Sequence, residues 1–245
     1  MSNLTLILPD IHLPYHDKYA LANVFDMIED VQPARIVQVG DLLDMKAPAR
    51  WSKGKADEYC NSIANEAAHG QAFWEELSAR APYSELVWLA GNHEARLRAY
   101  VNDYAPALRD IVPSVADLML LKNYGVKHIT QQPWKIAPGV SAIHGKMLSS
   151  VAGSSARKEM LRHGTSIVQG HSHRLGVIYE TTDRMRFALE AGWLGDIRKA
   201  TYLDYPGVAN WQSGFGYLYC SGNRVAPGVI PVFDKGRFSF NGKSY

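Results

Sequence analysis

The chain has 245 residues, of which 47% are hydrophobic and 20% are charged, and this composition excludes an intrinsically disordered protein. Its 26 basic and 24 acidic residues give a formal net charge of +2, which is too balanced for a protein that coats nucleic acid through general positive charge. The two cysteines, Cys60 and Cys220, lie far apart and in no Cys-x-x-Cys pair, so we expect two reduced thiols.

The sequence carries no pattern typical of a targeting or membrane-spanning segment. Its first residues, MSNLTLILPD, have no basic head and only a short apolar run, which argues against a secretory signal peptide. No apolar run approaches the ~20 residues that span a bilayer. We therefore expect a cytoplasmic protein without a membrane partner. Because no repeat or linker interrupts the chain, we also expect a single domain over residues 1–245.

The first half of the chain alternates predicted strands and helices. A continuous apolar run at Leu4–Leu8 predicts a buried strand, an i, i+3, i+4, i+7 pattern predicts a helix over 20–30, and 35–39 predicts a second strand. Because the unit is strand, helix, strand, the two strands should be parallel neighbours. The same patterns predict, in chain order, an irregular loop at 45–57, a helix at 63–77, a strand at 85–89 and a helix at 96–109.

From about Val126 the pattern shifts towards strands, after one more predicted helix. Ser114 is the expected N-cap of a helix over 115–121. A short helix over 156–162 is expected to be capped by Ser154 and Ser155 and to end at Gly164. The predicted strands are 126–129, 135–136, 140–143, 167–168, 177–181, 186–189, 216–220 and 229–233. The first half is therefore predicted to be α/β and the second half mostly β.

Two histidines stand two residues apart in the stretch SIVQGHSHRLGVIYE, which predicts strand, turn, strand. On an extended backbone the side chains of His171 and His173 would project to the same side. Two neutral imidazoles on one side form half of a metal site. The alternative is a surface loop that happens to contain histidines.

Polar side chains that bind metals follow five of the predicted strands. In chain order they are Asp10 and His12, Asp41 and Asp44, Asn92 and His93, His144, and His171 and His173. Ligand sites of open α/β sheets lie beyond the carboxyl ends of the strands. The pattern therefore predicts one shared metal site, to which the two histidines of the last motif contribute.

These motifs, in this order, resemble the calcineurin-like metallophosphoesterase superfamily. They are D-x-H at 10–12, G-D-x-x-D at 40–44, G-N-H-E at 91–94, H-G at 144–145 and G-H-x-H at 170–173. The resemblance implies an α/β fold in which a two-sheet β-sandwich is flanked by helices in four layers. The tail stretch YPGVANWQSGFGY is similar to tails of compact phosphoesterases from bacteria and their phages.

The resemblance also implies a ligand set for two divalent metal ions per chain. The first ion would be held by Asp10, His12, Asp41 and His173, and the second by Asp41, Asn92, His144 and His171. A carboxylate has two oxygens, so Asp41 can bridge ions that lie about 3.5–4 Å apart. Mixed nitrogen and oxygen ligands without thiolate favour manganese, with iron, zinc or nickel as alternatives. A hydroxide activated by both ions would attack phosphorus.

Two further residues are candidates for catalysis. His93 directly follows a metal ligand, and in the family it is placed to protonate the leaving oxygen; the alternative is a structural or phosphate-binding histidine. Asp44 resembles the carboxylate that orients this imidazole; the alternative is an ordinary acid beside the ligands. Glu94 is expected to support the ligands or the helix N-terminus rather than to bind metal.

The substrate is expected to be a phosphate ester: a nucleotide, a nucleic acid or a phosphoprotein. Protein phosphatases usually continue G-D-x-x-D with Arg-Gly, but Met45 and Lys46 follow here, which favours a phosphodiesterase acting on nucleotides or nucleic acid. Asp44 and the stretch GNHEARLRAY keep a phosphomonoesterase, such as a protein Ser/Thr phosphatase, as an alternative. The second alternative is a non-catalytic metal-binding scaffold of the same fold.

Side chains near the motifs are candidates for substrate binding. Three cations follow motif residues closely and are expected to bind phosphate oxygens, unless they are solvated: Arg96, Lys146 and Arg174. Three tryptophans are candidates for an aromatic wall against a nucleobase, with core packing as the alternative: Trp51, Trp193 and Trp211.

Overall fold

The computed structural model describes residues 3–200 and 209–245. The strands in these ranges are β1 (Leu4–Leu8), β2 (Arg35–Gln38), β3 (Glu85–Leu89), β4 (Lys127–Ile129), β5 (Trp134–Ala137), β6 (Val140–Ile143), β7 (Ser166–Gln169), β8 (Leu175–Thr181), β9 (Met185–Ala191), β10 (Gly214–Ser221), β11 (Arg224–Pro231), β12 (Ser239–Phe240) and β13 (Lys243–Ser244). The α-helices are α1 (Lys18–Val31), α2 (Ala56–Cys60), α3 (Ile63–Arg80), α4 (Ala95–Tyr104), α5 (Val115–Leu118) and α6 (Ser154–His163).

The first sheet has six strands in the order β11-β10-β1-β2-β3-β4. Strands β1 to β4 run parallel, which includes the predicted parallel pairing of β1 with β2, and β10 pairs antiparallel with β1. The second sheet has five strands in the order β5-β6-β7-β9-β8, with β6, β7 and β9 parallel and antiparallel strands at both edges. The carboxyl ends of β1, β2 and β3 therefore lie along one edge of the first sheet. Those of β6 and β7 lie along one edge of the second sheet.

The two sheets pack face to face, and helices cover their outer faces. On β1, the side chain of Ile7 packs with Val168 and Leu189 of the second sheet, whereas Leu6 and Leu8 face α1 and α3. This alternation, with both faces buried, is why the strand is a continuous apolar run. Helix α6 covers the second sheet through an apolar cluster that includes Met160. The prediction of a two-sheet sandwich flanked by helices is confirmed.

Several element boundaries differ from the sequence prediction. The helix expected to reach residue 109 ends at Tyr104, because Pro106 cannot continue it and a short 3-10 turn follows. Ser114 caps α5 as predicted by accepting the Asp117 N–H, but the helix ends at Leu118. The end of the expected loop at 45–57 forms the start of α2. Residues 205–208 of the tail stretch lie outside the described residues.

The start of α6 corrects the prediction that Ser154 and Ser155 cap it. Both serines lie inside the helix, and Gly153 is the N-cap residue with a left-handed φ of 83°. The backbone N–H groups at the start of the helix donate instead to the buried carboxylate of Glu190 on β9. They are those of Gly153 (2.8 Å), Ser155 (2.8 Å) and Ala156 (3.1 Å). Gly164 ends the helix in a left-handed conformation, as predicted.

No helix within residues 3–200 and 209–245 combines the length and the apolar character that crossing a bilayer requires.

Replacing Glu190 by Ala should lower the free energy of unfolding by about 3 kcal/mol, because three buried N–H groups lose a charged acceptor. Urea unfolding followed by circular dichroism measures this change. The control is Glu75→Ala on the exposed face of α3, which should change stability by no more than about 0.5 kcal/mol. Equal effects of the two substitutions would contradict the capping role of Glu190.

Candidate metal centre

The structure brings the five predicted motifs together at the carboxyl ends of β1, β2, β3, β6 and β7. Within the described residues, three groups of His and Asp side chains have ligand atoms lying within 4.8 Å of one another. They are Asp10, His12 and His173; Asp41, His144 and His171; and His12, Asp44 and His93. The first two groups correspond to the two predicted ligand sets, and the third contains both predicted catalytic residues.

The first group has the spacing of ligands around one cation. The Nε2 atoms of His12 and His173 lie 3.2 Å apart, and His173 Nε2 lies 3.4 Å from Asp10 Oδ1. Two atoms that are each 2.0–2.2 Å from one ion and occupy adjacent coordination positions lie about 3–3.4 Å apart. These three residues therefore fit a divalent metal ion of the kind the motifs predict.

The second group has similar spacing and includes the predicted amide ligand. His144 Nε2 lies 3.4 Å from Asp41 Oδ2 and 2.9 Å from Asn92 Oδ1. The imidazoles of His144 and His171 are 5.0 Å apart at their ring centroids. Oxygen and nitrogen ligand atoms thus converge beside Asp41. The Asp41 side chain is buried, at 2% exposure, whereas Asn92 is exposed.

Hydrogen bonds to the Nδ1 atoms fix which nitrogen of each imidazole faces the group. His144 Nδ1 lies 2.9 Å from the carbonyl oxygen of Val39, which can only accept, so Nδ1 carries the proton. His12 Nδ1 donates in the same way to Asp44 Oδ1 at 3.1 Å. Nε2 of both residues is left to face the ligand groups. Metal-binding histidines are typically oriented by such partners.

The carboxylates in the centre are deeply buried, and in the described part of the chain their ion pairs are with imidazoles. Burial raises the pKa of Asp10 to about 6, against the opposing charge of His144. Burial also lowers the pKa of His173 to about 3, so this imidazole is neutral. For His144, burial acts to lower the pKa, but the charge of Asp41 outweighs it and raises the value to about 10. The centre therefore attracts positive charge, which a divalent cation would supply.

The backbone around the centre is strained. Five of the seven predicted metal ligands have a positive φ, a region that non-glycine residues rarely adopt: Asp10 (31°), His12 (53°), Asp41 (53°), His171 (65°) and His173 (56°). The backbone at His171 and His173 is therefore not extended, which was the condition for their side chains to project to the same side. Strain of this kind persists where the surroundings over-determine the conformation, and it concentrates at functional sites.

Two glycines of the motifs allow the strand ends to approach closely. A methyl group at Gly91 would overlap Asp41 Oδ1, and one at Gly40, whose φ is 100°, would overlap the imidazole of His144. Each glycine therefore leaves room for a predicted ligand from another motif, which explains why the residue before the ligand is glycine in both cases.

Buried glutamates hold the loops of the centre in place. Glu94 accepts the backbone N–H groups of Gly91 (2.7 Å), Asp41 (3.1 Å) and Leu43 (3.0 Å), so it ties two motifs together. Glu66 on α3 accepts the N–H groups of Met45 and Lys46 (3.2 Å). Burial raises the pKa of Glu66 to about 7.

Sequence reasoning anticipated a supporting role for Glu94 but overlooked Glu66. The signal was present, since Glu66 lies on the same face of α3 as Gly70, Phe73 and Leu77, which the helix buries. An acid within a buried helix face requires a polar partner.

The surroundings of His93 differ from the expected pairing with the Asp44 carboxylate. His93 Nδ1 lies 2.7 Å from the Asp44 carbonyl oxygen and 3.4 Å from its Oδ1, which is closer to His12. Arg96 approaches Nε2 of His93 at 2.6 Å and also donates to the Asp44 carbonyl at 2.7 Å. Burial acts to raise the pKa of Asp44, but hydrogen bonds from His12 and His93 outweigh it and lower the pKa below its usual range.

A cleft of about 950 Å³ opens onto the centre. Asp41, Asn92 and His171 form part of its floor, and the predicted phosphate-binding residues Arg96 and Arg174 line it. Lys146 is exposed and is not among the lining residues that the structure describes, so its predicted role has no support in this geometry.

The three tryptophans differ in their access to this cleft. Trp51 and Trp211 line it, and Trp51 is 54% exposed. Trp193 is 5% exposed and stacks on His173 at 5.1 Å, so it packs behind a predicted ligand instead of forming a wall.

Replacing Gly91 by Ala should abolish binding of at least one metal ion, because the added methyl group displaces the Asp41 carboxylate. Metal content after gel filtration in Mn²⁺ measures this loss. The control is Gly125→Ala, where φ is 67° but nothing lies within 4 Å of the added group. It should lower stability by about 1–2 kcal/mol through strain and keep its metal. Full metal content in the Gly91 variant would disprove the predicted contact.

Comparisons with known proteins agree with this architecture. The calcineurin-like phosphoesterase family matches residues 4–185. The Gene 54 proteins of Mycobacterium phages L5 and D29 are each 33% identical to this chain, over 99% of it and 98% of their own length. Vps29 from Chaetomium thermophilum has a similar fold, with a TM-score of 0.52 and 12% identity over 99% of this chain and 97% of that one. The chain belongs to the calcineurin-like phosphoesterase family.

Proposed function

We propose that this protein is a phosphodiesterase that acts on nucleotides or nucleic acid with two divalent metal ions, of which manganese suits the ligands best. Family membership implies metal-dependent hydrolysis of phosphate esters. The observation that carries the proposal is the convergence of two groups of His and Asp ligands beside one open cleft, which Asp41, His171 and His173 line.

The proposed ligand sets are those of the motifs. Asp10, His12, Asp41 and His173 would hold one ion, and Asp41, Asn92, His144 and His171 the other, with the Asp41 carboxylate shared. When bound, the two ions would supply an activated water and would stabilise the negative charge that develops on the phosphoryl oxygens. The nitrogen and oxygen donors, without thiolate, support manganese over ions that prefer sulfur.

His93 is the proposed proton donor to the leaving oxygen. Its Nδ1 is fixed by the Asp44 carbonyl, so Nε2 is the nitrogen available to the substrate. A guanidinium only donates, so the contact of Arg96 with Nε2 requires a lone pair on that nitrogen. Arg96 must therefore leave Nε2, and that nitrogen must take up a proton from solvent water, before His93 can act as a proton donor. A substrate phosphate offers the guanidinium a stronger partner.

The loop after Asp44 supports a diester over a monoester substrate. Met45 occupies the position where protein phosphatases usually carry an arginine, and its side chain is fully buried. The ammonium of Lys46 lies 3.1 Å from Asp57. The arginine that usually binds the doubly charged phosphate of a monoester is therefore absent at this position. A diester phosphate carries one negative charge and needs less positive charge to bind.

The Mn²⁺-loaded protein should hydrolyse bis(p-nitrophenyl) phosphate with a higher kcat/KM than p-nitrophenyl phosphate. The reverse order would indicate a phosphomonoesterase such as a protein phosphatase. Bound metal with no turnover of either compound would indicate the non-catalytic scaffold.

Replacing Asp41 by Asn should remove both ions, because the shared carboxylate loses its charge and one of its two equivalent oxygens. Metal analysis of the purified variant measures this directly. Asp57→Asn is a suitable control, since Asp57 lines the same cleft but pairs with Lys46, and that variant should keep its metal. Two ions per chain in the Asp41 variant would contradict the shared-ligand role.

Replacing His93 by Ala should leave the metal content unchanged and slow the reaction according to the leaving group. The loss should be about 10²–10³-fold for a dinucleotide, whose alkoxide needs a proton, and less than about tenfold for p-nitrophenolate. Single-turnover rates on both substrates provide the measurement. Equal losses would rule out protonation of the leaving group by His93.

A further inference from the structure

The wall of the cleft contains a tryptophan whose side chain is only half-buried. Trp51 lies in the loop between β2 and α2 and is 54% exposed, whereas Trp74, Trp88 and Trp193 are at most 5% exposed. A ligand that covers this apolar surface would gain free energy from removing it from water. The indole lines the same cleft as Asp41, Asn92 and His171, so a substrate bound at the metal centre would lie beside it.

Positive charge flanks this indole. The guanidinium carbon of Arg50 lies over the ring of Trp51, 5.0 Å from its centroid, and that of Arg96 lies over it at 5.4 Å. A base would therefore stack in place of one of these guanidinium groups. An aromatic ring beside arginines is the arrangement by which proteins hold a base and the phosphates next to it. Neither a duplex, whose bases are already stacked, nor an aliphatic phosphopeptide would use the ring in this way.

Arg96 links the indole to the proposed chemistry. The same guanidinium that lies beside Trp51 approaches His93 Nε2 at 2.6 Å. A base stacked on Trp51 would therefore place its own phosphate within reach of Arg96 and His93. The apolar side chains of Leu148, which is 59% exposed, and Trp211 also line the cleft and add surface for a second base.

We propose that Trp51 is a stacking platform for an unpaired nucleobase and that single-stranded nucleic acid is the substrate class. This inference rests on the proposed function, because it assigns the base next to the phosphodiester that the metal centre would cleave. Trp51 is a binding residue in this assignment and takes no part in proton transfer.

The test compares two fluorescein-labelled oligodeoxynucleotides of equal length, one with bases and one fully abasic, by fluorescence anisotropy in EDTA so that no hydrolysis occurs. Wild-type protein should bind the base-bearing strand about tenfold to a hundredfold more tightly than the abasic strand. Trp51→Ala should reduce this preference to within about threefold, and Trp51→Phe should keep most of it. The control is Tyr83→Ala, since Tyr83 is 89% exposed in the turn before β3, at the opposite end of the sheet from the centre.

Several results would overturn the assignment. They are equal or absent binding of the two strands by wild-type protein, an unchanged preference in Trp51→Ala, tighter binding of a matched duplex, and stronger competition by a phosphopeptide than by an unlabelled single strand. Hydrolysis of bis(p-nitrophenyl) phosphate by the Mn²⁺-loaded wild type is measured separately. If this hydrolysis is absent but the base preference depends on Trp51, the proposed catalysis is refuted and the assignment of Trp51 as a stacking platform is retained.

Discussion

The buried negative charge of Asp10 and Asp41 is the constraint on which the rest of the centre depends. Both carboxylates lie at strand ends with at most 2% of their surface exposed, where an uncompensated charge is costly. Each accepts the backbone N–H of a histidine motif: that of His171 at 2.9 Å for Asp10 and that of His93 at 2.9 Å for Asp41. The acids of the first two motifs thus fix the backbone of later motifs. The imidazoles of those motifs cluster around the two carboxylates.

This convergence explains the strained backbone. The backbone must turn sharply within one or two residues after each strand, so that the ligand side chains point towards a common centre. The left-handed conformations of Asp10, His12 and Asp41 achieve that turn at a cost of about 1–2 kcal/mol each. Glu66 and Glu94 offset part of this cost, because each binds backbone N–H groups of the strained loops from a rigid helix or its start.

Much of the fold and of the centre could be predicted from the sequence because both have local signals. Periodicity marks strands such as Leu4–Leu8, and the motif residues follow the strand ends directly. The cap formed by Glu190 could not be predicted, because the N–H groups that it binds lie 34 to 37 residues away in the sequence. The pattern of strand β9 indicates only that its residues are buried. The left-handed φ of His171 was missed for a similar reason: it depends on contact with Asp10, which is 161 residues distant.

The cleft separates its charges by depth, and this separation links metal binding to substrate binding. Asp41 and Asp44, which form its floor, are at most 7% exposed, whereas Arg96 and Arg174 are half-buried and form its walls. Without cations only the walls favour a polyanion, since the carboxylates of the floor lie where the phosphoryl group would bind. The two divalent ions proposed above would reverse the sign of the floor, because bound ions are the largest local charges in such sites. The arginines of the walls can then act together with the ions on one polyanion, so the same acids that make the apo centre unfavourable for phosphate make the loaded centre favourable for it.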